Sequence, residues 1–319
     1  VASRGLGDVY KRQTSFYTNY TMILNRLFYI VIIFVFFSCA SPVEQKSING
    51  SSSTSLLPDL NLVNGIEVVT WNIEFFPKQG QRTIDSVYNI ITGLNADIYC
   101  LQEIYNINSF LNLADDLIEY DYVISDDTDY LNLVVLYKKN DFLVRSKTSL
   151  FTDSMYEFAS RPPLRLEMTY TGENSMDFTL INMHLKCCND GYNRRVQSSD
   201  ILYEYLKNSI QLGFVNHIVV GDWNDDISDS YSQNSFNVFL DDQDSFKYVT
   251  YENAHSSSNT FDSFPGFGSG SFIDHIMISS DLFEEFETSD VQTIRIGDYI
   301  SGYDEVISDH RPVVWRFTP

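Results

Sequence analysis

Polar side chains that could bind a metal ion or move protons follow several short apolar runs of this sequence. Asn72 and Glu103 each close such a run, Asp222 and Asn224 follow the run 218–220, and Asp274 lies inside the run 273–278. A carboxylate at the end of a buried strand is costly unless it is paired or bound to a cation. The spacing therefore indicates an acidic and amide cluster of the kind that attracts a divalent cation.

Two histidines stand in the same kind of position. His184 follows the apolar run 180–183, and His310 follows Asp309 immediately before the run 313–317. An Asp-His pair in front of a strand can orient an imidazole and tune its pKa for acid–base work. We expect no catalytic role for His217, which opens a strand, for His255 in a polar loop, or for His275 on the opposite strand face.

The elements that must position these groups are mostly strands. Apolar and β-branched content predicts strands over residues 66–71, 98–101, 133–137, 164–170, 178–183, 218–220, 273–278 and 313–317, and helical spacing predicts helices over 83–94 and 196–210. Many strands with few helices predict an α/β protein in which two packed sheets are flanked by helices. No internal repeat is visible.

The charge balance limits the functions that fit. The formal net charge is -22, so the surface repels polyanions at long range. This argues against binding of nucleic acid through a general basic face. It leaves open an enzyme that meets phosphate locally, through a metal ion and a few arginines.

Read in order, the polar blocks resemble a known superfamily. The blocks are Trp71-Asn72-Ile73, Gln102-Glu103, His184, Gly221-Asp222-Trp223-Asn224, Asp274-His275 and Ser308-Asp309-His310-Arg311-Pro312. Together they resemble the endonuclease/exonuclease/phosphatase superfamily, which includes DNase I, over residues 66–319. The resemblance implies a four-layer α/β/β/α sandwich of two mixed β-sheets flanked by helices, and Mg²⁺-dependent hydrolysis of phosphodiesters. In Gly221-Asp222-Trp223-Asn224, we expect the glycine to allow a tight turn.

The resemblance also implies a metal site and catalytic roles. Glu103 would be the principal ligand of Mg²⁺, with Asn72 and Asp309 nearby, and Mn²⁺ or Ca²⁺ are alternatives. Oxygen ligands of this kind suit Mg²⁺ better than zinc. His310 would act as the general base or contact the scissile phosphate.

Other members of the predicted site would handle water and substrate. By the same resemblance, Asp222 would orient or deprotonate the attacking water, and His184 would donate to the phosphate or the leaving group. Asp274 would orient one of the histidines, and Asn224 would bind a phosphate oxygen. Arg161 resembles an arginine that reaches the substrate backbone, although a surface salt bridge is its alternative.

The substrate expected from the sequence is nucleic acid, with DNA favoured over RNA. Tyr105 occupies a position where DNase I-like enzymes often carry an arginine, which weakens that expectation. Alternatives are a sphingomyelinase-like lipid phosphodiesterase, with the Phe-rich loop 261–268 entering a bilayer, and a phosphomonoesterase of small phosphorylated molecules. An inactive binding module on the same fold is the alternative of another class.

The pattern of the first 64 residues predicts export. Residues 1–21 do not begin with Met and look like a non-native or untranslated leader, and residues 22–39 resemble a signal peptide with a lipobox-like end at Cys39. Residues 40–64 form a Ser-rich tether, and residues 65–319 form the catalytic domain. We expect a monomer that is held at a bacterial membrane through lipidated Cys39, or is secreted.

The remaining cysteines leave several states open. Cys187 and Cys188 are adjacent, and no C-x-x-C pattern of a structural zinc site is present. The adjacent pair could form a vicinal disulfide, pair with other thiols or stay free.

Overall fold

A computed structural model of the chain describes residues 57–126, 130–266 and 270–319. The predicted leader, the signal segment with Cys39 and most of the Ser-rich tether lie outside the described residues. Part of the Phe-rich loop, including Phe267, lies outside them as well. None of the helices within the described residues is both long enough and apolar enough to cross a membrane.

Twelve strands lie within the described residues. They are β1 (Ile66–Phe76), β2 (Ile98–Ile104), β3 (Tyr120–Ile124), β4 (Asn132–Lys138), β5 (Phe142–Ser149), β6 (Leu164–Tyr170), β7 (Met176–His184), β8 (His217–Asp222), β9 (Phe246–Tyr248), β10 (Asp274–Ser279), β11 (Asp290–Thr293) and β12 (Val313–Phe317). Their apolar content suits a half-buried pleated surface, in which successive side chains point to opposite faces.

Seven α-helices accompany the strands in the described part of the chain. They are α1 (Gln81–Leu94), α2 (Ile107–Asp116), α3 (Tyr192–Gln211), α4 (Asn237–Leu240), α5 (Tyr251–Ala254), α6 (Phe283–Glu287) and α7 (Tyr303–Val306). The Asn106 side chain caps α2 by accepting the backbone N–H of Ser109 at 3.0 Å, which satisfies one of the free donors at a helix start. Helix α2 was not predicted from the sequence.

The strands form two six-stranded sheets. The first has the order β11-β12-β1-β2-β4-β3, and the second has the order β5-β6-β7-β8-β10-β9. Each sheet holds one parallel pair, β1 with β2 and β7 with β8, among antiparallel neighbours. Both sheets are therefore mixed, as expected.

Three apolar clusters divide the molecule into layers. One joins the inner faces of the two sheets, with Val68 and Cys100 from the first sheet meeting Leu180 and Val220 from the second. A second cluster packs α1 and α2 on the outer face of the first sheet, and a third packs α3 on the outer face of the second. The predicted four-layer α/β/β/α sandwich is confirmed.

All eight strands predicted from the sequence are present, with ends that differ by a few residues. The four strands that were not predicted are β3, β5, β9 and β11, and these are the outer strands of the two sheets. Strand β5 buries only Phe142, and its other positions along Phe142–Ser149 are half-buried or exposed and mostly polar. Edge strands lack the continuous apolar run of a central strand, so the signal used for prediction is weak there.

Candidate active site

Strand alternation aims the site residues inward at one end of the sandwich. On β1 the inner positions are Ile66, Val68, Thr70 and then Asn72, and on β7 they run through Leu180 to His184. The first positions of each series are apolar and fill the core between the sheets, whereas the last is polar. Because every second residue of a strand lies on the same face, the face that fills the core also presents the last, polar residue to the site.

Strand register then brings three of these groups side by side. His184 lies opposite Asp222 in the parallel pair of β7 and β8, and Asp222 lies opposite Asp274 in the antiparallel pair of β8 and β10. Nε2 of His184 is 3.4 Å from Oδ2 of Asp222. His275, one residue on, points to the other face of the sheet, where Thr250 contacts its Nδ1 at 3.2 Å.

Gly221 serves this register differently from the sequence interpretation, which assigned it to a tight turn. The residue lies inside β8 with φ +148, and a Cβ built there would be 1.9 Å from the carbonyl oxygen of Met183. Only glycine lets β7 and β8 approach this closely. The tight-turn interpretation is wrong, and Gly221 instead allows His184 and Asp222 to sit side by side.

His310 reaches the row of acidic groups from the loop after α7. Its Nδ1 lies 2.8 Å from Oδ2 of Asp274, and its Nε2 lies 3.9 Å from Oδ2 of Asp222. The loop is fixed by the Tyr303 hydroxyl, which donates to the carbonyl of His310 at 2.5 Å, and by Ser308, whose hydroxyl accepts the N–H of His310 at 2.9 Å. The imidazole is therefore held in one orientation by side chains and backbone.

Glu103 and Asn72 form the other side of the site. The Asn72 amide nitrogen donates to Oε1 of Glu103 at 3.1 Å and to Oδ2 of Asp222 at 3.0 Å, and its amide oxygen accepts the N–H of Glu74. Glu103 also accepts the N–H of Phe75 at 3.0 Å. Asn72 thus holds two carboxylates together, one from each sheet.

Backbone conformation at this rim is unusual. Glu74, Phe75, Glu103 and Leu131 all have positive φ, between 33 and 64. Residues other than glycine rarely occupy this region, and such strain tends to gather at functional sites. All four residues line one cavity.

Burial and neighbouring charges shift the pKa values of the titratable groups in different directions. Burial alone would lower the pKa of His310, but Asp274, Asp222 and Asp309 outweigh it and raise the pKa to about 10. Burial raises the pKa of Asp222 to about 7, against the opposing effect of His310. Burial, helped by Arg161, holds the pKa of His184 well below its usual value. At neutral pH the site therefore combines a cationic His310, a neutral His184 and a carboxyl poised to exchange a proton.

Arg161 and Asn224 complete the wall of a cavity of about 650 Å³. Arg161 donates from Nε to the carbonyl of His184 at 3.1 Å and from Nη2 to that of Leu185 at 2.8 Å. Asn224 donates from Nδ2 to the same Leu185 carbonyl at 3.1 Å. The alternative of a surface salt bridge for Arg161 does not apply, because the side chain faces the cavity and backbone carbonyls hold it.

Asp309 lies nearer the solvent than the other acidic groups. Its side chain is 45% exposed, and its Oδ1 lies 3.9 Å from Nε2 of His310. Its backbone N–H donates to Oε2 of Glu74 at 2.9 Å. Burial and the nearby Glu74 raise the pKa of Asp309 to about 6, against the effect of His310.

The donor set fits a divalent cation. Asp222, Asp274 and His310 each offer an atom within 4.8 Å of the others, and because His310 is held as a cation, the two carboxylates are the donors that remain for an ion. Oδ1 of Asp274 is buried and has no hydrogen-bond partner within the described residues. The predicted ligand Glu103 faces the same cavity, whereas Asn72 lies behind its wall. Hard oxygen donors of this kind suit Mg²⁺, Mn²⁺ or Ca²⁺.

All the predicted site residues therefore gather at one place. Of the nine positions, those that line the cavity are Glu103, Arg161, His184, Asp222, Asn224, Asp309 and His310. Asn72 and Asp274 stand behind them and contact Glu103 and His310. The metal-ligand assignment and the individual roles stay predictions.

Sequence reasoning missed the polar layer beneath the site. Gln102 donates to Oδ1 of Asn182 at 2.8 Å across the two sheets, and Asn182 donates to the carbonyls of Leu101 and Val134. Asn182 lies two positions before His184 on the same strand face, a spacing that could have indicated it. Sequence reasoning also did not assign Phe264 of the Phe-rich loop to the site, where its ring centroid lies 5.0 Å from that of His310.

A comparison with protein-family models shows which family the chain belongs to. The family model for the Endonuclease/Exonuclease/phosphatase family matches residues 69–310. Sandwich and site together define a phosphoester hydrolase of this type, and the chain belongs to the endonuclease/exonuclease/phosphatase family. Comparison with curated protein sequences finds no match.

Solved structures agree on the fold. TDP2 from Caenorhabditis elegans superposes with a TM-score of 0.60 at 20% identity, over 80% of this chain and 75% of that one. The human Nocturnin catalytic domain gives 0.59 at 16% identity, over 82% and 96%. A Bacteroides thetaiotaomicron mannosyl-6-phosphatase gives 0.57 at 18% identity, over 79% and 99%. At these identities the likeness establishes the fold alone.

Proposed function

We propose that this protein is an exported, divalent-metal-dependent phosphoesterase that cleaves its substrate by attack of water. The observation that carries the proposal is the row His184, Asp222 and Asp274, with His310 closing on it and Glu103 facing it across one cavity. Export and a lipid anchor at Cys39 rest on the sequence pattern alone.

The residues divide the chemistry as follows. Asp222, whose pKa is raised to about 7, accepts a proton from the attacking water near neutral pH. His310 is held as a cation by Asp274 and contacts the phosphoryl oxygens, where negative charge builds in the transition state. Arg161 adds a guanidinium that matches phosphate oxygens. A bound divalent cation supplies Lewis-acid stabilisation of the same charge.

For the substrate we favour a small phosphorylated molecule. Four carboxylates line the cavity, from Glu74, Glu103, Asp222 and Asp309, and among the described residues Arg161 is the only arginine or lysine that lines it. With a net charge of -22, the protein offers little to hold a long polyanion. Mannosyl-6-phosphatase, named above, acts on a substrate of this size.

Nucleic acid, the substrate expected from the sequence, is the second candidate. Its support is Tyr105, which is 58% exposed beside Glu103 and packs against Phe75 with ring centroids 6.4 Å apart. Exposed aromatic rings can stack on unpaired bases without a basic face.

One substrate panel tests both candidates. The purified protein is incubated with Mg²⁺ and, separately, bis-p-nitrophenyl phosphate, mannose 6-phosphate and linear plasmid DNA. We expect release of p-nitrophenol from the diester, or of phosphate from mannose 6-phosphate, that is lost with EDTA, in Glu103→Gln and in His310→Ala. His255→Ala is the matched control, because His255 is exposed and stacks on Tyr251.

The outcomes separate the alternatives. Faster cleavage of DNA than of any small ester would favour the nuclease. Turnover that survives both EDTA and His310→Ala would refute the proposed site. An absence of turnover on every substrate would support the inactive binding module.

A further inference from the structure

Two adjacent cysteines form part of the cavity wall. Cys187 and Cys188 lie in the loop that joins β7, which ends at His184, to α3. Their Sγ atoms are 2.8 Å apart, and both residues line the same cavity as Glu103 and His184. Cys188 is exposed and Cys187 is half-buried, so soluble reagents can reach the pair.

The loop that carries the pair is held in place by one buried arginine. Arg195 is 4% exposed, and its Nη1 donates to the carbonyls of Lys186 at 2.8 Å and Cys188 at 2.9 Å. Gly191 lies so close that a Cβ there would be 2.6 Å from the Lys186 carbonyl oxygen. The sulfur pair is therefore presented in one backbone conformation, with Cys188 at φ 71.

The surroundings of the two sulfurs differ. Lys186 directs its ammonium to Sγ of Cys187 at 3.5 Å, and the Cys188 thiol also donates to that sulfur. The Cys187 sulfur therefore accepts two polar contacts, one from an ammonium and one from a thiol, whereas the Cys188 sulfur is the donor. Cys100 is buried in the core between the sheets. Among the described cysteines, Cys187 and Cys188 are therefore within reach only of each other for forming a disulfide.

We propose that Cys187 and Cys188 are a redox modification site, in which a low-molecular-weight disulfide converts the two thiols into a vicinal disulfide at the cavity wall. Sγ of Cys187 loses its proton and attacks one sulfur of the reagent, which forms a mixed disulfide and releases one thiol. The Cys188 sulfur then loses its proton and attacks Sγ of Cys187, which releases the second thiol. The protein loses two electrons and two protons, and the reagent gains both.

The modification acts on the cavity through its backbone. A vicinal disulfide closes a small ring that includes the peptide bond between the two residues, so the carbonyl of Cys187 turns and its contact with the ammonium of Lys186 changes. Lys186 and Leu185 precede the pair directly, and the carbonyl of Leu185 holds both Arg161 and Asn224. Oxidation therefore displaces two substrate-facing groups, a consequence that rests on the proposed phosphoesterase function.

Mass spectrometry tests the chemistry independently of activity. Trypsin cleaves after Lys186 and Arg194, which leaves both sulfurs in one peptide, 187–194, with no other cysteine. After treatment with oxidised glutathione and alkylation of the native protein, we expect this peptide to be two hydrogens lighter and unalkylated. Dithiothreitol should restore two alkylatable thiols. A peptide that keeps both thiols, or that carries stable glutathione adducts, would overturn the proposal.

Single substitutions assign the order of attack. Cys188→Ser should accumulate a glutathione adduct on Cys187, whereas Cys187→Ser should react more slowly, because its remaining thiol lacks the contact with Lys186. Equal adduct rates in the two variants would contradict the assigned nucleophile.

Turnover then tests the link to the cavity. We expect oxidation to lower the rate on the best small ester by about tenfold to hundredfold, reversibly, which is the scale for misplacing a catalytic group by about 1 Å. The double variant Cys187→Ser/Cys188→Ser, which has no thiol at this wall, should keep its own untreated rate in oxidised glutathione. An unchanged rate in fully oxidised wild-type protein would refute the link. Failure of the reduced protein to turn over any ester would count against the phosphoesterase function, and the peptide masses would still decide the modification site.

Discussion

Glu67, at the start of β1, has a buried carboxyl group that is only partly hydrogen-bonded. Its side chain is inaccessible to solvent, Oε1 accepts the N–H of Leu62, and Oε2 has no partner within the described residues. Asp97 is also buried, and Lys138 is committed to Asp97 at 3.0 Å. Burial and then the proximity of Asp97 raise the pKa of Glu67 from 4.5 to about 8.

The raised pKa gives a signed dependence of stability on pH. Because the folded protein holds the Glu67 proton more tightly than the unfolded chain, the stabilising contribution is complete below pH 4.5 and is lost as the pH rises through about 8. At about 1.4 kcal/mol for each tenfold change in proton affinity, the loss between pH 5 and pH 9 is about 3 to 4 kcal/mol. Glu67→Gln removes the proton equilibrium and keeps the acceptor for Leu62.

Urea unfolding followed by the fluorescence of the buried tryptophans measures this effect. We expect the free energy of unfolding of Glu67→Gln, relative to wild type, to increase by about 3 to 4 kcal/mol from pH 5 to pH 9. Glu119→Gln, in the exposed turn before β3, is the control for removing a carboxyl group from the surface. If Glu67→Gln differs from wild type by a constant amount across this range, the buried carboxyl is not the origin of the pH dependence.

Four further substitutions test the site and its frame. Gly221→Ala should lower the free energy of unfolding by at least about 3 kcal/mol, because its Cβ would meet a carbonyl oxygen at 1.9 Å. Gly213→Ala is the control, since Gly213 also has positive φ but faces open space, and it should lower the free energy of unfolding by less. Urea titrations compare the two variants. Asp274→Asn should lower kcat about 100-fold to 10,000-fold with little change in the far-ultraviolet circular dichroism, and a full rate would exclude a role in orienting the catalytic histidine. Glu103→Gln should weaken Mg²⁺ binding about tenfold or more in calorimetric titrations, and unchanged affinity would place the ion on other ligands. For Arg161→Lys, initial-rate kinetics should show lower kcat/KM, because lysine cannot hold two backbone carbonyls and still face the cavity.

The sequence was most informative where a strand is buried on both faces. Central strands such as β4 and β8 carry apolar runs that only a sheet interior explains, and their bounds were predicted within a few residues. The outer strands β5 and β11 alternate with polar residues and resemble loops in composition. Their pairing depends on neighbours that are distant in the chain, so no local pattern could indicate it.

The identity of the site residues was already carried by the sequence. Asn72, Glu103, His184 and Asp222 each end an apolar run, and the order of their blocks is enough to indicate the family. No single block suffices, because a polar residue at a strand end often has a structural role, but the six blocks in this order support one another.

The tertiary structure alone decided how these groups act on one another. The pairing of β7, β8 and β10 sets His184, Asp222 and Asp274 in a row, and the loop after α7 brings His310 to within 2.8 Å of Asp274. The pKa values of these residues, the polar layer beneath them and the approach of Cys187 and Cys188 to the cavity all depend on that packing. Distances and burial between residues far apart in the chain set these properties, and a linear pattern of residue types does not contain them.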